Sequence, residues 1–370
     1  MPFEALFVPD ELRAALDDEA WLKAMLAAER ALARAQSLDV GDDVFVVEGL
    51  SAEEIVREGR RAGNPVEPLV RRLRERSKDV HRGATSQDIL DTAAALVSRD
   101  ATALIARELD AVASTCAELA EAHRATVMAG RTLLQQAVPT TFGLKTASWL
   151  VGILHARSRL AGMRLPAQLG GAAGTLAALG ENGLDVLSAY AKELDLPEPV
   201  LPWHTRRLPV AELGGALAVA AGFCAKIALD VTLLAQTEVG EVRLPEGGVS
   251  TTMPQKRNPV GPVLTRACAE QVRASAGVLL NLEHEHERAA GAWHAEWKAL
   301  SDALAFTGGA AAALRESLDG IEVDAERMRG NLRAETLSEA ERFAPAASAP
   351  EEYLGAANAF VDRALAFYRR

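Results

Sequence analysis

The segment Gly247-Gly248-Val249-Ser250-Thr251-Thr252-Met253-Pro254-Gln255-Lys256-Arg257-Asn258-Pro259 concentrates groups that can handle protons and carboxylates. Its glycines give a loop room to move. Its hydroxyls can accept a proton once desolvated beside cations, and Lys256 with Asn258 can bind carboxylate oxygens. Pro259 opens a helix whose N-terminal dipole favours the same anion. The plain alternative is a solvated connector, and the residues alone do not choose between the two.

Two more polar stretches carry comparable chemistry. His81-Arg82-Gly83-Ala84-Thr85-Ser86-Gln87-Asp88 places two hydroxyls and backbone N–H groups at the start of a helical run. That is a carboxylate cradle or a plain N-cap, and the two roles can coexist. In Gly130-Arg131-Thr132-Leu133-Leu134-Gln135-Gln136-Ala137-Val138-Pro139, Arg131 can clamp a carboxylate with both arms and Gln135 can donate an oriented hydrogen bond. A surface arginine ahead of a Pro-capped helix is the alternative. His284, His286 and His294 do not form a metal motif, because residues two apart on a helix face different ways and no HExxH occurs. No metal and no cofactor are expected. Gly170, Gly171 and Gly174 lack the dinucleotide fingerprint, so close packing or a bend is expected there.

The elements that must position these stretches are helical. Alanine and leucine dominate the 370 residues while strand-length β-branched and aromatic runs are scarce, so little sheet is expected. Leu12, Leu16, Leu22, Met25, Leu26 and Ala33 predict an amphipathic helical hairpin over Asp10 to Gln36. A loop follows at Val40 to Gly49. Ser51 with Glu54 has the form of a capping box whose helix stops before Gly63-Asn64-Pro65, and the next helix starts near Glu67. From Ser86 to about Arg124 there is neither Pro nor Gly, which predicts one very long helix. Similar patterns run from about Thr140 to Leu165, Pro209 to Gly240 and Pro259 to Glu287. Such helices make a bundle. The expected division is an N-terminal lobe over residues 1–78, a central bundle over 79–298 and a short C-terminal region over 299–370.

Charge and targeting signals narrow the function. A net charge of −11 argues against nucleic acid as a partner, so any anion site is a local basic pocket. The apolar stretch Leu213 to Ala225 is too short to cross a membrane and reads as a buried helix. No basic, apolar leader follows Met1, so a cytoplasmic location is expected. Cys116, Cys224 and Cys268 form no CxxC pair, which fits core packing in a reducing compartment.

The Ser250 segment resembles the signature loop of the fumarase/aspartase superfamily, with Val249 and Thr251 standing where a glycine and a second serine are usual. The other two stretches are similar to that superfamily's remaining signature regions. Ala129-Gly130-Arg131-Thr132, Pro202-Trp203-His204-Thr205-Arg206-Arg207, Gln236-Thr237-Glu238-Val239-Gly240-Glu241-Val242 and the run His284 to Trp297 look most like bacterial 3-carboxy-cis,cis-muconate cycloisomerases. Leu133 replaces the histidine of argininosuccinate and adenylosuccinate lyases. Gln136 stands where cycloisomerases often have histidine, and Leu208 where they usually have aspartate.

The resemblance implies an all-α fold, a homotetramer with sites shared between subunits, and no cofactor. It implies a small polycarboxylate substrate, with lactone and muconate interconverted. Ser250 would be the base, supported by Lys256 and His81. Thr85, Ser86, Arg131, Thr132, Gln135, His204, Arg207, Thr251, Met253 and Asn258 would contact substrate. Other readings are a sister lyase releasing fumarate from a substituted succinate, a silent structural homologue, and a helical scaffold.

Overall fold

The computed structural model describes residues 3–244, 248–249, 252–253 and 256–370. The described residues form fourteen α-helices. The N-terminal set is α1 (Glu4–Phe7), α2 (Asp10–Leu16), α3 (Asp18–Ala35), α4 (Ala52–Gly59) and α5 (Val66–Arg76). Side-chain caps start two of them: Asp17 accepts the Ala20 N–H at 2.8 Å, and Ser51 accepts the Glu54 N–H at 3.3 Å. The apolar face of α3, with Leu22, Met25, Leu26 and Leu32, is buried against α6 and α8.

The bundle consists of α6 (Ser86–Ala122), α7 (Phe142–Ala161), α9 (Leu208–Ala235), α10 (Val260–Leu279) and α11 (Ala292–Leu318). Helix α6 has 37 residues and is about 55 Å long at the usual rise per residue. Its capping box is closed by the Thr85 N–H donating to Asp88 Oδ2 at 2.9 Å. Ile105, Leu109, Val112, Cys116 and Ala120 give its second half one buried stripe. Helix α8 (Gly183–Glu193) packs on α3, and α14 (Ala357–Tyr368) on α7. Short helices α12 (Ala325–Gly330) and α13 (Ser338–Phe343) lie between.

Helix α9 is the one described helix long and apolar enough to span a bilayer by length and composition. In the fold it is packed by α7, α10 and α11, and Trp149 of α7, fully buried, donates to Asp230 of α9 at 2.7 Å. The three cysteines are free and buried; burial pushes the thiols of Cys224 and Cys268 up to about 12, which suits core packing.

Sheet is minor, in three two-stranded pieces. β1 (Val127–Thr132) pairs antiparallel with β2 (Gln135–Thr141); β3 (Val242–Arg243) pairs with β6 (Glu322–Val323), and β4 (Gly248–Val249) with β5 (Arg257–Asn258).

Four expectations need correction. The stretch around Arg131 is a hairpin rather than a loop ahead of a helix. Its turn residues Leu133 and Leu134 take φ 51° and 63°, a conformation normally signalled by Asn-Gly. Helix α9 ends at Ala235 instead of Gly240, because Gln236 is extended at ψ 148°. Helix α10 ends at Leu279, well short of Glu287; residues 281–291 instead reach back across the fold, with Arg288 donating to Ala172 O at 2.8 Å and Thr205 Oγ1 to His286 O at 2.9 Å. The division between residues 298 and 299 falls inside α11, whose apolar periodicity continues unbroken to Leu318.

Gly143 begins α7 against the end of α6: a Cβ there would lie 2.6 Å from Arg124 Cα and 2.8 Å from Ala120 O, both backbone atoms. Gly143→Ala is therefore expected to destabilise the fold by about 1–3 kcal/mol, since neither helix end can yield without the other. Urea unfolding at fixed protein concentration would check it.

Candidate active site

The described site residues fall into three clusters. The first surrounds the start of α6. Asp88, fully buried, uses both carboxylate oxygens on four donors: Thr85 N and Gly171 N at 2.9 Å to Oδ2, Gly170 N at 2.9 Å and His204 Nε2 at 2.7 Å to Oδ1. Gly171 has φ +68°, which lets its N–H face the carboxylate. The glycine pair thus holds an anion of the protein's own, where close packing or a bend was expected. Thr85 and Ser86 remain half-exposed above this anchor.

Below Asp88 lies a second buried anion, Asp91, one turn further along α6. Arg207 fills the space between Asp91 and Glu296 of α11. Its Nη1 donates to Asp91 Oδ2 at 2.8 Å and to Trp203 O at 3.4 Å; Nη2 donates to Asp91 Oδ1 at 3.0 Å and Glu296 Oε2 at 2.5 Å, and Nε to Glu296 at 3.0 Å. Gln87, Trp293 and Gln168 also donate to Asp91. Burial works against the charged guanidinium, yet Asp91 and Glu296 outweigh it and push its pKa up. Burial raises the Glu296 pKa, and His284, 3.3 Å from Glu296, is pushed down by burial and by Arg207. Arg207 is 3% exposed and every N–H of its fork has an acceptor within the chain, so in this conformation it braces the site and offers no donor to a ligand.

On the other flank, His81 takes φ 59° and bonds through Nδ1 to Glu29 of α3 at 2.6 Å. The Arg82 carbonyl accepts from Gln36 Nε2 at 2.9 Å, so α3 holds this turn at two points.

The second cluster is the β1–β2 hairpin. Arg131 makes a two-armed pair with buried Glu241, at 2.6 and 3.0 Å, and Asn331 donates to the same carboxylate at 2.8 Å. Gln136 donates to Asn331 O at 2.7 Å and accepts the Arg333 N–H at 3.1 Å. Its amide does both at once, which ties the hairpin to the C-terminal region. Thr132 and Gln135 stand exposed at the tip beside Leu133 and Leu134, which are 96% and 76% exposed. Lys145, in the first turn of α7, has its pKa lowered, by burial before any charge.

The third cluster is the loop ahead of α10. The pairs Gly248–Asn258 and Val249–Arg257 close its base. Lys256 and Met253 are exposed, Asn258 is half-exposed, and the Lys256 N–H bonds Met253 O at 3.0 Å. Ser250 and Thr251 lie outside the described residues.

The clusters sit at two ends of the bundle. The hairpin follows the far end of α6, and a strand pair reaching about 20 Å cannot return over a helix of about 55 Å. Glu241, bound to Arg131, lies at the hairpin end. Among the described residues, no group at position 284, 286 or 294 joins a metal-competent cluster. The sequence reading missed Glu29, Asp91, Glu241 and Glu296. For Glu29, Asp91 and Glu296 the signal was an acidic residue at core-face spacing, as with Glu29 between Met25 and Leu32 on α3; Glu241 lies outside a helix and carried no such signal.

A lyase family model matches residues 13–274. A nitrosuccinate lyase from Streptomyces davaonensis is 46% identical over 352 residues, covering 87% of this chain and 74% of the relative. A 3-carboxy-cis,cis-muconate cycloisomerase from Bradyrhizobium diazoefficiens is 42% identical over 347 residues, covering 87% and 77%. The crystal structure of the 3-carboxy-cis,cis-muconate lactonizing enzyme from Pseudomonas putida superposes with a TM-score of 0.91 at 34% identity, over 100% of this chain and 99% of that one. Fold, signature stretches and these matches agree: the chain belongs to the fumarase/aspartase superfamily of lyases and is an enzyme of that group, with the bacterial carboxymuconate cycloisomerases among its relatives.

Proposed function

We propose that this enzyme interconverts 3-carboxy-cis,cis-muconate and 4-carboxymuconolactone in a cytoplasmic aromatic-degradation route, without a cofactor. The observation that supports it best is the likeness to cycloisomerases over nearly the whole chain, in the presence of the serine loop and the α6 cradle. In the lactone-opening direction, Ser250 removes the proton beside a carboxylate, while Lys256 and Asn258 stabilise the charge that develops on that carboxylate. Thr85 and Ser86 hold a second carboxylate at the α6 N-terminus. His204, bonded to Asp88, supports that cradle. Thr132 and Gln135 approach from the hairpin tip. Arg131 and Arg207 act by bracing Glu241 and the Asp91–Glu296 pair.

The serine needs a lowered pKa, which loop closure over the cradle supplies by expelling water and bringing Lys256 close. Because cradle and hairpin lie at opposite ends of α6, one chain cannot surround one small molecule. We assign the complete site to a homotetramer in which different subunits supply the cradle, the hairpin and the loop. Turnover in D₂O should place a single deuterium on the lactone carbon beside the carboxylate, read by proton NMR; unlabelled lactone would exclude a solvent-exchanging base.

A second reading is nitrosuccinate lyase, favoured by the Streptomyces relative and by Gln136, whose amide is engaged by the backbone and cannot take a histidine's titrating role. Nitrite and fumarate released together from nitrosuccinate would establish it, and their absence would remove it.

A further inference from the structure

We infer that Asn331, in the C-terminal region, is a positioning residue for the β1–β2 hairpin tip and so for Thr132 and Gln135. This rests on the reading that the tip contacts a polycarboxylate substrate. In the hairpin register Thr132 lies opposite Gln135, and the next pair inward is Arg131 opposite Gln136. Successive side chains of a strand leave by opposite faces, so the inner pair can anchor one face while the outer pair presents the other. Exposure follows that alternation: Arg131 and Gln136 are half-buried, whereas Thr132 and Gln135 are exposed.

Both members of the inner pair are tied to Asn331, the residue that closes the C-terminal end of α12. Gln136 Nε2 donates to the Asn331 carbonyl at 2.7 Å. Arg131 grips the buried Glu241 carboxylate, whose Oε1 accepts from Asn331 Nδ2 at 2.8 Å. The same Nδ2 donates to Val239 O at 2.9 Å, so both partners of the amide are acceptors and only its NH₂ end satisfies them. These bonds close a ring that runs from Arg131 through Glu241, Asn331 and Gln136 and returns across the strand pair to Arg131. Two backbone donors steady it: Asp324 N bonds Glu241 O at 3.0 Å, and Arg333 N bonds Gln136 Oε1 at 3.1 Å. A ring that holds one residue on each strand fixes the tilt of the hairpin, and only the Thr132–Gln135 pair and the two turn leucines lie beyond it. Asn331 is outside residues 13–274, the part matched by the lyase family model, so the tip takes its position from a stretch that the match does not reach.

The test is a mutant cycle on the assembled enzyme with 3-carboxy-cis,cis-muconate, or with nitrosuccinate if that is the compound turned over. Asn331→Ala removes the two side-chain bonds and leaves the backbone acceptor for Gln136. It should raise KM on the order of tenfold while kcat stays within about twofold. In a Thr132→Ala, Gln135→Ala background the same substitution should change KM by less than about twofold, because the contacts it positions are already gone. Hydrogen exchange of the amides in residues 127–141 should quicken in Asn331→Ala, with α6 and α9 as in the wild type. Gln136→Met opens the ring at its other bond and should give the same pattern, which covers the case where Asn331→Ala fails to fold. Equal losses in the two backgrounds, or unchanged exchange in the hairpin, would overturn the proposal and leave the polycarboxylate reading in place. Turnover of neither compound by the folded wild type would overturn both.

Discussion

Replacing Ser250 with alanine is expected to lower kcat by about 10³-fold or more, with assembly size and thermal midpoint unchanged. The magnitude follows from removing the only group assigned to take the proton from carbon, in a site whose other residues bind and stabilise charge without accepting one. The separation of effects is expected because Ser250 precedes α10, which begins at Val260, while the described buried core is built from the helices. Steady-state kinetics with size-exclusion chromatography of the same preparation would check both halves. Retained activity would take Ser250 out of the mechanism.

The second large effect is on stability. Arg207→Leu should cost about 3–5 kcal/mol, because it leaves Asp91 and Glu296 facing one another in a buried site with no cation between them. The packing of the guanidinium over the Trp203 ring, 4.6 Å from its centroid, is lost at the same time. Arg207→Lys should recover only part, since one ammonium cannot match five N–H groups directed at two carboxylates and a carbonyl. Denaturant unfolding at fixed protein concentration measures both variants; a cost below about 1 kcal/mol for the leucine variant would contradict the bracing role given to Arg207.

Much of the fold was legible because it obeys simple periodicity. The capped start at Ser51, the Pro- and Gly-free run of α6 and the apolar faces of α3 and α9 are local signals that the structure follows. What could not be read is what tertiary contacts impose. The β1–β2 hairpin has two leucines in left-handed turn positions, and no composition rule places a hairpin there. Residues 281–291 have helix-forming residues, yet they give up the helix for contacts with Ala172, Thr205 and Gln87.

The site shows the same division. The serine loop and the hydroxyl pair at Thr85 and Ser86 announce themselves by residue type. The carboxylates behind the basic residues do not, because Glu29, Asp88, Asp91, Glu241 and Glu296 are spread over more than 260 positions and meet their basic partners only in the folded chain. Their effect is to engage His81, His204, Arg207 and Arg131 from behind. Among the described residues of the three stretches Lys256 is exposed and Thr85 and Ser86 at the α6 N-terminus are half-exposed, and we propose that these meet the substrate.

The most direct test of the account is to mix the purified enzyme with freshly generated 3-carboxy-cis,cis-muconate and follow the ultraviolet absorbance of the conjugated diene. The account predicts rapid loss of the absorbance, with the lactone as product and no fumarate. A folded, assembled enzyme that leaves the diene untouched would contradict it.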